Sequence, residues 1–303
     1  MKNTFYSNGK LLITAEYLIL DGAKGLALPT NFGQDLVVKN INSPDLVWES
    51  IDKNNATWFK KTYQLPDISI DNSNKEPEIT YSLQNILREA RKLNPDFLNT
   101  NTGFQVKTKL TFPRNWGLGS SSTLINNIAK WANINAFDLL KNSFGGSGYD
   151  IACAQNNTPI LYQLRNNFPK IEKVIFDPVF RDQLYFIHLN QKQNSRSEIV
   201  KFLKNKKEVN AEAEEISQLT IEILKSSTLT DFENILKEHE EIIASIVGKQ
   251  PIQEELFSDY YGQTKSLGAW GGDFILATGN EDTTAYFTNK GFETVIPYKK
   301  MIL

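Results

Sequence analysis

A glycine- and serine-rich run, Pro113-Arg114-Asn115-Trp116-Gly117-Leu118-Gly119-Ser120-Ser121-Ser122, stands between two segments of different period. Before it, Phe104, Val106, Thr108, Leu110 and Phe112 alternate with polar or charged neighbours, the pattern of a half-buried strand. After it, Leu124, Ile125, Ile128, Ala129 and Ala132 recur at helical spacing. A strand, a flexible turn and a helix therefore follow one another directly. Closely spaced glycines let backbone N–H groups approach a ligand with no Cβ in the way. The helix start adds unsatisfied N–H donors and a partial positive charge. Three serine hydroxyls can bond phosphate oxygens or reach Mg²⁺. The run reads as an anion cradle suited to a nucleotide phosphate, against the plainer reading of a serine-capped helix start. It is neither a P-loop, because no Lys follows Gly119, nor a dinucleotide fingerprint, because Ser122 stands where the third glycine belongs.

The first third of the chain is strand-rich, with 46–51 and 57–63 as further strands and the polar segment 71–77 as a loop. Ile79, Leu83, Ile86, Leu87 and Ala90 then mark a helix over 78–92. A short helix is expected at 136–142 and another from Tyr149-Asp150, separated by Gly145-Gly146-Ser147-Gly148. The second half opens near Phe168-Pro169. Segments 173–176 and 184–189 read as strands, and two amphipathic helices carry Ile216, Leu219 and Ile223, then Phe232, Leu236, Ile243 and Val247. The charge-rich segment 201–215 reads as a solvated helix face. The end returns to strands at 274–277, 284–288 and 293–297. The pattern gives an α+β chain of two units, with domains at 1–165 and 166–303.

Net charge is −2, so no broad basic face for nucleic acid or an anionic membrane is implied. No apolar run reaches the roughly 20 residues of a membrane helix, and the N-terminus lacks a signal-peptide core. The single cysteine, Cys153, allows no intrachain disulfide and points to a reducing, cytoplasmic setting. One cysteine and two distant histidines, His188 and His239, do not add up to a structural zinc site, and both histidines read as core or surface side chains.

Three further segments carry possible chemistry. Gly145 through Asp150 is a glycine-rich turn leading to one carboxylate at a helix start, where an Asp is also a routine cap. Lys265 through Asp273 is dense in glycine just before a strand, as a tight turn would also be. Asn8-Gly9-Lys10 precedes the apolar run Leu11-Leu12-Ile13, where a lysine is commonly a surface side chain.

In this order the four segments resemble the motifs of the GHMP kinase superfamily: the opening Pro-Gly-Lys strand (here Ser7-Asn8-Gly9-Lys10), the Pro-x-x-x-Gly-Leu-Gly-Ser-Ser loop, the Ser-Gly-x-Asp turn (Ser147 to Asp150) and a late glycine loop (Gly268 to Asp273). The matches run from residue 7 to residue 277. Ala15-Glu16-Tyr17-Leu18-Ile19-Leu20 and Gly146-Ser147-Gly148-Tyr149-Asp150-Ile151-Ala152 resemble stretches of mevalonate and phosphomevalonate kinases, and the latter a bacterial group marked by Gly-Tyr-Asp-Ile-Ala. Asn8 stands in place of the family proline, Trp270 in place of a glycine, and no Glu lies between Ser122 and Asp150.

The resemblance implies a two-lobed α+β fold, with an N-terminal lobe like ribosomal protein S5 domain 2, a ferredoxin-like C-terminal lobe and the active site between them. It implies an ATP-dependent kinase acting on mevalonate or phosphomevalonate in isoprenoid precursor synthesis. A kinase for a sugar or amino alcohol, and a catalytically silent ligand sensor, are the alternatives. ATP phosphates would lie on Pro113, Gly117, Leu118, Gly119, Ser120, Ser121 and Ser122, with Ser121 reaching Mg²⁺. Asp150 would take or orient the acceptor proton, and Lys10 would sit near it and stabilise the transferring phosphoryl group. Glu16, Tyr17, Ser147, Gly148, Ser195, Ser197, Gly268, Gly271 and Gly272 would face the acceptor. The expected partner is thus a small-molecule acceptor, with no nucleic acid and no membrane, and a homodimer is one of the oligomeric states left open.

Overall fold

In the computed structural model, residues 2–70, 76–191, 198, 202, 204, 208–270 and 272–303 are described. They form two compact units made of interleaved segments. Unit 1 takes residues 1–9, 32–114 and 118–155; unit 2 takes 10–31, 115–117 and 156–303. Strands β1 (Lys2–Leu12) and β2 (Gly25–Ile41) contribute residues to both.

Unit 1 is a sheet with helices. Strand β3 (Asp45–Ile51) pairs antiparallel with β4 (Thr57–Gln64) and parallel with β5 (Gly103–Leu110), and β5 pairs antiparallel with β2 from Gln34 to Ile41. Side chains alternate in burial along β3, as a sheet with one covered face requires. Leu46, Trp48, Val106, Leu36 and Val38 meet helices α1 (Glu78–Leu93), α2 (Ser120–Ala132) and α3 (Ala136–Ser143) in one apolar core. Helix α4 (Tyr149–Gln155) packs on α2.

The seating of α2 is polar. Asn127, fully buried, accepts from Ser7 Oγ at 2.7 Å and donates to Gln34 O at 2.8 Å. Asn126 donates to Ser7 Oγ at 2.8 Å and accepts from Gln155 Nε2 at 2.9 Å, and Thr123 Oγ1 donates to Gln34 Oε1 at 2.8 Å. A buried network with its members hydrogen-bonded fixes a helix in register where apolar contacts alone would let it slide.

Unit 2 holds the β6–β7 end of the seven-stranded sheet and a second, four-stranded sheet. The first part of β2 pairs with β6 (Ile160–Arg165), which forms a hairpin with β7 (Phe168–Lys173). The second sheet is antiparallel throughout, in the order β11 (Val295–Pro297), β8 (Leu184–His188), β10 (Phe274–Thr278), β9 (Thr264–Ser266). Helices α5 (Asn210–Lys225), α6 (Leu229–Val247), α7 (Ile252–Leu256), α8 (Thr283–Asn289) and α9 (Tyr298–Met301) accompany it.

Most expected elements appear within a residue or two, with two differences. Segment 284–288 is helix rather than strand: its Thr, Tyr and Phe favour strands, but Thr283 and Phe287 lie one helical turn apart and are both fully buried, Phe287 against Phe257 and Tyr260. The strand expected at 173–176 ends at Lys173, having begun at Phe168. Strand β2 is 17 residues long and runs through Pro29, Asn31 and Gly33. Gly33 is needed there because a Cβ would lie 2.3 Å from Ser7 O. The expected loop and solvated helix face fall in part on residues 71–75, 201, 203 and 205–207, outside the described residues; from Asn210 the latter is helix α5. The point 165/166 lies in the turn of the β6–β7 hairpin.

Asn127→Ala removes a side chain that both accepts and donates in the buried network. It is expected to lower unfolding free energy by about 2 to 3 kcal/mol, because two buried polar groups lose their partner. Urea unfolding followed by circular dichroism reads this; a loss under about 0.5 kcal/mol would contradict the role given to the network.

Candidate active site

The glycine-serine run folds as a loop into α2. The N-cap of α2 is Gly119, in the left-handed region at φ 86, with no side-chain capping bond. The serine-capped alternative is therefore not what forms. Ser122 Oγ lies 3.3 Å from Gly119 O and 3.0 Å from Asp150 Oδ2, so it turns away from the first-turn N–H groups toward the carboxylate. Ser121 is exposed and Ser120 half-buried at the helix start, while Leu118 is fully buried beneath. This leaves the positive end of a 13-residue helix without a cap of its own, which suits an anion. Thr123 N bonds Gly119 O at 2.9 Å and closes the first turn.

Asp150 sits in the first turn of α4 and accepts from Ser122. Before it, Gly145, Gly146 and Gly148 all have positive φ, and a Cβ on Gly145 or Gly146 would meet nothing within 4 Å, so the turn beside the carboxylate is open. Ser147 is half-buried and Gly148 buried.

Residues 115–117 belong to unit 2, where four side chains hold them. Lys10 Nζ donates to Gly117 O at 2.9 Å. His188 Nε2 lies 3.1 Å from Asn115 O, while its Nδ1 accepts from Asn190 N at 3.2 Å, which fixes the Nε2–H tautomer. Trp116 meets Phe274 edge-on at 5.4 Å between ring centres. Gly117 has φ 64, and a Cβ there would lie 2.2 Å from Asp273 Oδ2. Asp273 itself has φ 56 and donates its N–H to Gln191 O at 2.8 Å. The chain thus passes the Asp273 carboxylate at a distance only glycine permits. Lys10 is in unit 2 and Asp150 in unit 1.

The remaining candidates divide. Glu16 is fully enclosed: its Oε1 is ion-paired with the ammonium of Lys265, itself fully buried. His239 Nε2 lies 3.6 Å from Glu16 Oε2 and accepts from Ala15 N at 3.0 Å. Its ring is therefore neutral with the proton on Nδ1; burial first and Lys265 second press its pKa well below the usual 6.5. Glu240 accepts from Ser266 N at 3.0 Å, and burial raises its pKa. Burial outweighs the attraction of Lys265 at Glu16 as well, whose pKa rises from 4.5 to about 7. Tyr17, at φ 63, donates its hydroxyl to Ala269 O at 3.0 Å, so the Glu16 turn is tied to the late glycine loop. Gly268 has φ 65 with open space around its Cβ position, and Trp270, at φ 51, is buried in that same loop. Gly272 is buried; Gly271, Ser195 and Ser197 lie outside the described residues. Of the basic residues in and before the Pro113–Ser122 run, Arg114 stacks 3.8 Å above the Trp58 ring and Lys107 pairs with Glu49 at 2.7 Å.

Both histidines, read from the sequence as core or surface side chains, are buried; what the sequence did not single out is Lys265 and Glu240 beside Glu16 and the hold of His188 on a loop carbonyl. No group of three or more His, Cys, Asp or Glu able to hold a metal occurs among the described residues. No helix among the described residues is long and apolar enough to cross a membrane.

The fold matches that of solved small-molecule kinases. A solved mevalonate kinase matches 97% of this chain with 96% of its own at TM-score 0.71 and 17% identity. The phosphomevalonate kinase of Streptococcus pneumoniae, solved with phosphomevalonate and AMPPNP, matches 95% of each chain at TM-score 0.69 and 18% identity. The galactokinase of Lactococcus lactis, solved with galactose, matches 98% of this chain and 94% of its own at TM-score 0.68 and 13% identity. No family model and no curated protein sequence matches the chain.

Glu16 carries a pH signature. Its folded pKa is raised above the unfolded 4.5, so its contribution to stability is complete below that value and is lost as pH rises through about 7. His239 acts in the opposite sense: its folded pKa is lowered, so its share is present above 6.5 and lost on acidification. Comparing wild type with Glu16→Gln isolates the first effect. From about pH 5 to about pH 8 the wild type is expected to lose stability relative to the variant in urea unfolding; a pH-independent difference would contradict the raised pKa.

Proposed function

We propose that this chain is an ATP-dependent small-molecule kinase acting on mevalonate or phosphomevalonate, with residues 1–165 as the ATP-binding domain and 166–303 as the second domain. One observation carries the reading: the uncapped start of α2 stands behind a glycine loop, and its Ser122 is hydrogen-bonded to Asp150. That combination offers an anion site and a carboxylate base joined by one hydroxyl, which phosphoryl transfer to an alcohol needs.

In this reading the backbone of residues 117–122 holds the ATP phosphates. The exposed hydroxyl of Ser121 offers Mg²⁺ a ligand, and the ion supplies charge neutralisation on the phosphates. Lys10, bound to Gly117 O, brings a cation to the loop for the developing charge on the transferred group. Asp150 accepts the acceptor's hydroxyl proton while Ser122 holds its carboxylate in place. A phosphorylated acceptor already ionised near neutral pH would ask less of Asp150. A second reading, a sugar kinase, is favoured by the likeness to a galactokinase that covers nearly the whole chain.

ADP release measured with ATP, Mg²⁺ and mevalonate, phosphomevalonate or galactose in parallel separates the acceptors. Release with mevalonate or phosphomevalonate supports the first reading, release with galactose alone replaces it by the second, and none with any of the three contradicts the first. With mevalonate as acceptor, Asp150→Asn is expected to lower turnover by about 10²-fold or more while leaving ATP affinity nearly unchanged, since general-base catalysis contributes on that order. Unchanged turnover would remove Asp150 from the mechanism.

A further inference from the structure

Strand β7 ends its sheet, so its outer edge has no neighbouring strand among the described elements. Its ladder to β6 pairs Leu161 with Glu172 and Gln163 with Lys170, and Val174 N donates to Pro159 O at 3.0 Å one step beyond. In an antiparallel ladder, hydrogen-bonded positions alternate with outward-facing ones. Positions 168, 170, 172 and 174 therefore bond inward, and 169, 171 and 173 turn their backbone groups outward. Pro169, which has no N–H, falls on the outward set, where it breaks no internal bond. The same segment carries two of the most exposed large apolar side chains described, Phe168 at 74% and Ile175 at 89%.

We propose that this edge pairs with the same edge of a second copy of the chain, antiparallel about a two-fold axis at Ile171. The sequence fits its own reverse in that register. Ile171 meets its equivalent across two backbone hydrogen bonds, and each Lys173 N–H reaches the partner's Pro169 carbonyl. On one face, Phe168 lies opposite the partner's Val174 and Lys170 opposite the partner's Glu172, each contact occurring twice by symmetry. Sliding the pairing by two residues in one direction sets Lys170 against its own equivalent. Sliding it the other way sets Glu172 against its own. Like charges directly opposite are unfavourable in both cases, so the charges select one register. Pairing also places the exposed Phe168 ring against apolar carbon and covers an edge otherwise open to unspecific strand addition.

The test is sedimentation velocity of the full chain over about 1 to 100 µM, the range in which a modest interface populates both species. Wild type is expected to form a dimer. Lys170→Glu, which faces the partner's Glu172 at two sites, is expected to weaken dimerisation about tenfold or more, and the double variant K170E/E172K to recover it. Ile171→Pro, which removes only outward-facing donors, is expected to sediment as monomer with an unchanged circular dichroism spectrum. A wild type that stays monomeric throughout would overturn the proposal. So would a dimer that both K170E and I171P leave at wild-type strength, or a double charge swap that stays as weak as K170E.

Discussion

The close passage of Gly117 beside Asp273 sets the shape of the glycine loop that leads into α2. Lys10 grips the Gly117 carbonyl at 2.9 Å, and the Asp273 carboxylate fills the space a Cβ would need. His188 and Phe274 hold the two residues before it. With Asn115 to Gly117 held, the chain enters α2 through Leu118, buried, and Gly119, left-handed. The helix start is then left uncapped, and Ser122 turns to Asp150. Three of the motifs legible in the sequence thus act on one short stretch: the first lends Lys10, the last lends Asp273, and both meet at the glycine of the second.

Elements with a strong period were legible, because alternation along β3 and β5 and the apolar stripes of α1 and α6 follow directly from having one buried face. The order of the glycine motifs gave the candidate loop and carboxylate. Local propensity misled where tertiary packing overrode it. Segment 284–288 has the residues of a strand, yet Phe287 finds its aromatic neighbours only as part of a helix. At Gly33 strand β2 passes Ser7 too closely for any side chain, an approach that no linear pattern shows. The buried ionisable groups Glu16, Lys265 and the neighbours His239 and Glu240 come from three separate segments, so no spacing rule could gather them.

That buried cluster does for the Glu16 turn what the Asn126–Asn127 network does for α2. Ala15 and Tyr17 both have positive φ, an unfavourable state for non-glycine residues. His239 takes the Ala15 N–H, Lys265 holds Glu16, and Tyr17 bonds the Ala269 carbonyl. The turn is over-determined by buried partners, as backbone held in sparsely populated conformations must be. Breaking such a pair on one side leaves a buried charge without compensation, so the cluster resists piecemeal substitution.

The central claim is that the loop through Gly117 binds nucleotide phosphates. Calorimetric titration of ATP with Mg²⁺ into wild type and into Gly117→Ala tests it most directly. A methyl group at Gly117 would both strain a backbone at φ 64 and meet the Asp273 carboxylate at 2.2 Å, so the loop must shift. The account predicts that wild type binds ATP and that the variant, with an unchanged circular dichroism spectrum, binds about tenfold or more weakly, as losing one or two charge-assisted phosphate contacts implies. Equal affinity in the two proteins, or no binding by wild type, would contradict it.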